Sequence, residues 1–130
     1  MKTKFSITAV LAFLCVTTYT STFAYDGDWK RGRVYYRQVC TTCHTANMDT
    51  AISPSSRTKA EWAAYITADK HAKGKESLKQ YVSKQYRTSI KASNKAAEKY
   101  IDVPDQELLE DIKAFLTHGA KDGDSPASCS

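Results

Sequence analysis

"RQVCTTCHTANM", residues 37–48, sets Cys40 and Cys43 three positions apart and puts His44 directly after the second thiol. Three chemistries use two cysteines at this spacing. Covalent haem attachment needs two thiols that add across two vinyl groups and an imidazole beneath the iron, demands that a short turn running into a helix can meet. A thioredoxin-like dithiol needs the motif at the head of a helix that follows a strand, and no strand pattern precedes Cys40. A structural zinc site needs four donors. Cys40, Cys43 and Cys129 with His71 or His118 supply the residue types, but no second closely spaced pair accompanies the first. Haem attachment fits the stretch best, and it raises the question of what binds the other face of the iron.

The chain upstream bears on the compartment. Residues 1–29 read "MKTKFSITAVLAFLCVTTYTSTFAYDGDW". Lys2 and Lys4 make a positive start, residues 7–16 an apolar core, and Thr22, Phe23 and Ala24 a signal-peptidase site, so we expect a secretory signal over 1–24, cut after Ala24. The apolar run is too short and its flanks too polar for a spanning helix, so no stable membrane insertion is expected after cleavage. Cys15 leaves with the signal. The mature protein is then periplasmic or otherwise exported, in a compartment where haem is attached covalently and where Cys40 and Cys43 could also form a disulfide. Three cysteines remain, an odd number, and Cys129 has no obvious partner.

Cleavage leaves 130 − 24 = 106 residues and lowers the formal charge from +5 to +3, because only Lys2 and Lys4 are lost. So mild an excess is not the signature of a nucleic-acid binder. It is unevenly spread, with 11 basic against 4 acidic residues over 57–99 and 2 against 7 from residue 100 onward. A basic face and an acidic end could orient docking on a redox partner, although a solvated lysine-rich surface has the same composition.

About a hundred residues make one domain with a thin core, which a buried cofactor would help. No stretch alternates apolar and polar residues between hairpin turns, whereas several carry apolar residues at helical spacing, so the fold class is all-α. We expect a domain over 25–120 and a polar, loosely held tail over 121–130. A first helix over 27–39 offers Trp29, Val34, Tyr35 and Tyr36 for packing. Thr58 and Glu61 form a capping box, which opens a helix with Trp62, Tyr65 and Ile66 on one side and an end near 71–74. A helix over 75–87 would bury Leu78, Tyr81, Val82 and Tyr86, and the polar stretch 88–102 is ambiguous. The last helix is best defined: Pro104 in its first turn, Asp105 and Glu107 at the positive end of the dipole, and a stripe of Leu108, Leu109, Ile112, Phe115 and Leu116 before Gly119.

With these elements in place, the chain resembles a class I monohaem c-type cytochrome. "GDWKRGRVYYRQVCTTCH" is similar to that family's N-terminal helix and haem motif, and "VPDQELLEDIKAFLTHG" to the C-terminal helix that crosses it. The resemblance implies a small helical domain wrapped around one covalently bound haem c. It also implies thioether bonds to Cys40 and Cys43, His44 as proximal iron ligand, and electron exchange through an exposed haem edge.

The chain departs from the family in its sixth ligand. The family brings a methionine from the loop before the last helix, and that region has none. Met48 is tethered four residues after His44 on the proximal side and cannot easily cross to the opposite face. His71 is the first choice of distal ligand and His118 the second, with Lys95 or no protein ligand as further options. A second imidazole stabilises ferric iron more than a thioether does, so bis-histidine ligation predicts a low reduction potential. Trp62, Tyr35, Tyr36, Tyr65 and Tyr81 could wall a haem pocket or simply form the core. Arg33, Arg37 and Arg57 could pair with haem propionates or lie at the surface. The functional expectation is a one-electron carrier of a respiratory chain rather than an enzyme, working with redox partner proteins. The alternatives are a haem c protein with an open distal site, acting as gas sensor or haem enzyme, and a haem-free binding module stapled by zinc or a disulfide.

Overall fold

The computed structural model describes residues 24–47, 52–72 and 74–127. All regular structure among them is helical, as expected. Asp28 starts the first helix: in extended backbone its carboxylate accepts from the amides of Lys30 (2.9 Å) and Arg31 (3.2 Å), and α1 spans Trp29–Tyr35. The helix does not stop near residue 39. It widens into a π-helical stretch, Tyr36–Cys40, and resumes as α2, Thr41–Asn47, so the cysteine motif lies inside a continuous helical rod. The Thr41 hydroxyl bonds back to the Arg37 carbonyl and that of Thr42 to Gln38, so side chains that often interrupt a helix here follow it. In the wider turn Tyr35, Tyr36 and Val39 are all buried.

A short 3₁₀ turn, Pro54–Ser56, leads to α3, Lys59–Thr67, which opens with the expected capping box between Thr58 and Glu61. Trp62 is buried and donates its indole N–H to the Pro54 carbonyl at 2.7 Å. Here α3 ends earlier than the sequence suggests. Asp69 takes a left-handed conformation (φ 51°) and its carboxylate accepts from the Lys79 amide at 2.9 Å, which turns the chain away before residue 71. The helix expected over 75–87 is divided into α4, Leu78–Val82, and α5, Lys84–Ile90, by Ser83. Ser83 is extended; its hydroxyl donates to Gln80 O (2.7 Å) and accepts from Tyr86 N (3.1 Å), closing one helix and capping the next.

In the ambiguous stretch, Asn94 caps α6, Lys95–Glu98, and donates to Gln38 O at 2.9 Å, tying α6 to the π-helical segment. The final helix, α7, runs Asp105–His118 with the expected stripe buried and Gly119 at its end. It crosses α1 at Gly32, where a Cβ would stand 2.0 Å from the Asp111 carbonyl oxygen, so only glycine permits so close a crossing. Nearby, the fully buried Asp111 accepts from the Tyr25 hydroxyl (2.6 Å), the Asp28 amide (2.6 Å) and the Arg31 guanidinium.

The tail is held, contrary to expectation, as far as Ala127. Lys121 N bonds to Arg57 O (2.9 Å), Ser125 N to His118 O (3.1 Å), Ala127 N to Gly119 O (3.1 Å), and Asp122 accepts from Lys59 N (2.7 Å). These are mostly backbone pairings, which a polar composition does not reveal. The signal expected over 1–24 (all but Ala24), Met48 and Cys129 lie outside the described residues. Among the described residues, no helix is long and apolar enough to cross a membrane.

Candidate functional site

The helical rod carries Cys40, Cys43 and His44 together. Cys40 is half-buried and Cys43 exposed. Burial, with the neighbouring Cys43, pushes the Cys40 thiol up to about 12, so it stays protonated at neutral pH. Tyr86 approaches from α5, its hydroxyl raised above the usual tyrosine range by burial and by the nearby Cys43. Two further tyrosines back the rod. Tyr35 donates to Tyr81 O (3.0 Å) and Tyr36 to Ile52 O (2.6 Å). Burial raises both hydroxyls, which therefore remain neutral donors.

Across from the rod, the connection between α3 and α4 delivers His71. Its Nε2 stands 3.5 Å from Nε2 of His44, with the rings 5.7 Å apart and inclined by 28°. Tyr36 flanks His44 at 5.8 Å between ring centroids, and Tyr81 meets His71 at 5.2 Å. Gly74 lies against His71, where a Cβ would stand 2.5 Å from Nδ1. Both imidazoles are held below the usual histidine range: His44 by burial and then by His71, His71 by burial. Each is thus kept neutral, the form that binds a metal.

The facing pair has the donor atoms to share a metal. Two neutral imidazoles share at most one Nε2–Nε2 hydrogen bond, here at the long limit of such contacts, and both Nδ1 atoms are buried without a hydrogen-bond partner. A cation between the rings would take both Nε2 lone pairs and leave the protons on Nδ1. Imidazole–metal bonds of about 2.0 Å ask for only a slightly wider gap. Two thiols lie beside the pair on the same rod, Cys40 one helical turn before His44 and Cys43 directly before it.

The other candidates fall elsewhere. His118 stacks on Trp29 at 4.2 Å and lies 3.8 Å from the Asp124 carboxylate. Trp29 is roughly 20 Å from His44 along the rod at helical rise, so His118 is at the opposite end. Lys95 is exposed, its ammonium 4.0 Å from Glu98. Arg33 and Arg37 are exposed, and Arg57 covers the rings of Trp62 and Tyr65 at 5.5 and 5.2 Å. Among the described residues no three of His, Cys, Asp and Glu converge as a zinc site would require.

Sequence reasoning missed the supports of His71. Asp69, Gly74 and the hydroxyls of Tyr65 and Tyr81 all act on its connection, yet Tyr65 and Tyr81 read as core or pocket wall, Gly74 only as part of a helix end, and nothing in the sequence singled out Asp69. No protein-family model, curated protein or solved structure matches this chain.

Proposed function

We propose that this chain is an exported monohaem c-type cytochrome that carries single electrons between respiratory partner proteins, with His44 and His71 as its axial ligands. One observation carries the reading: His71, 27 positions along the chain from His44, faces it Nε2 to Nε2 at 3.5 Å beside the cysteine motif. Cys40 and Cys43 would hold the haem through thioether bonds. Haem c bound there supplies a one-electron ferric/ferrous couple.

The chain's own residues do the rest. His44 and His71, kept neutral by burial, present lone pairs without first losing a proton. Tyr36 and Phe115, 5.4 Å apart behind His44, help keep water from that side. Two imidazole donors favour the ferric state and lower the reduction potential relative to a methionine-ligated carrier. Partners of opposite charge would dock on the basic stretch over 57–99.

A visible spectrum of the mature protein, made with a competent cytochrome maturation system, tests the reading. Split low-spin haem c bands on reduction, unmoved by carbon monoxide, are expected. A strong carbon monoxide shift would favour the open-site sensor or enzyme, and absence of haem absorbance would overturn both haem readings.

A further inference from the structure

The His71 Nδ1 has no hydrogen-bond partner, so apart from the long contact with His44 and the Tyr81 ring the imidazole takes its position from the connection that carries it. Among its described residues, that connection has no helix of its own between Thr67 and Leu78. It is tied instead by two phenols. The Tyr65 hydroxyl, from α3, accepts from the Ala72 amide at 3.1 Å, and the Tyr81 hydroxyl, from α4, accepts from the Lys75 amide at 3.2 Å. Both tied amides follow His71: Ala72 lies within the turn that Gly74 N closes onto His71 O at 3.1 Å, and Lys75 lies just past it. Both phenols are themselves anchored. Tyr65 packs against Trp62 under the Arg57 guanidinium, and the Tyr81 carbonyl receives the buried Tyr35 hydroxyl while its ring meets His71 and Tyr86. Beside His71 the surface opens into a depression of about 390 Å³ lined by Asp69, Lys70, Ala72, Glu76 and Ser77, so the connection has room to swing outward.

We infer that Tyr65 and Tyr81 are positioning residues that hold His71 against His44 and thereby close the sixth position to external ligands. The inference rests on the haem reading above. A connection freed at both amides populates outward conformers, and an external ligand binds in proportion to that population.

The test uses the haem-loaded protein and the variants Y65F, Y81F and Y65F/Y81F, with H71A as the open reference. Phenylalanine keeps each ring and removes only the oxygen. Carbon monoxide titration of the ferrous proteins should show an apparent affinity about tenfold or more above wild type in the double variant, with the singles between. Amide exchange at Ala72 and Lys75 should quicken while that of α1 and α7 stays unchanged. A merely structural role predicts a lower Tm with wild-type exclusion of carbon monoxide, and that result would overturn the inference. Should the double variant not fold, the singles decide by the same two readouts. Failure of the haem reading has a different signature, a wild-type protein without low-spin bands, and it takes this inference with it.

Discussion

At Cys40 and Cys43 one side-chain type meets two environments three residues apart. Cys40 is shielded and its thiol is held near 12, whereas Cys43 is exposed. Thiolate is the reactive form. In haem-free protein at pH 8, iodoacetamide should therefore label Cys43 well before Cys40, read by peptide mass mapping; equal rates would contradict the burial. The two thiols and His44 stood out in the sequence as a candidate site because the haem chemistry proposed here would need them to be neighbours along the chain. His71 was ranked first among the distal candidates, but its seat was not legible. What puts it opposite His44 is a left-handed Asp69, a bare Cα at Gly74 and two distant phenols, and none of these leaves a spacing pattern.

Single elements show the same division. The capping box of α3 could be read from Thr58 and Glu61 because it is a local contact, and it makes a pH prediction. Hydrogen bonds from the Thr58 amide, and then from its hydroxyl, hold the Glu61 carboxyl below its ordinary value of 4.5. A depressed carboxyl pKa stabilises the fold above the unfolded value, and that contribution is lost as pH falls through the folded one. Glu61→Gln keeps the box without titrating. The stability difference between wild type and E61Q, from urea melts, should thus shrink between pH 6 and pH 3. The π-helical widening at Tyr36–Cys40 was not legible, since apolar residues at 35, 36 and 39 suit an ordinary helix equally well. Ser83, likewise, reads as one more polar helix residue until its extended backbone splits α4 from α5.

Across the whole molecule, two buried charges organise what the apolar stripe of α7 could not. Arg87 is fully buried and donates to the carbonyls of Ser83 (3.2 Å) and Val103 (2.9 Å) and to Asp105, joining α5 to the start of α7. Asp111 collects Tyr25, Asp28 and Arg31 and so joins the start of the described chain to the middle of α7. Replacing Asp111 by alanine should cost about 3 kcal/mol in urea unfolding, as expected when one partner of a buried charged network is removed. Arg31→Ala should cost less, because the carboxylate keeps the Tyr25 hydroxyl and the Asp28 amide. Nothing in the sequence singles out Arg87 or Asp111, because long-range pairing has no local signature. The helical rod from Trp29 to Asn47 finally bears on the order of events in making the protein. The same stretch supplies the glycine of the α1–α7 crossing and the Cys40 thiol that packs against the core, so folding covers part of one of the two sulfurs while the other stays exposed. On the haem reading proposed above, loading before the chain packs would reach both sulfurs alike.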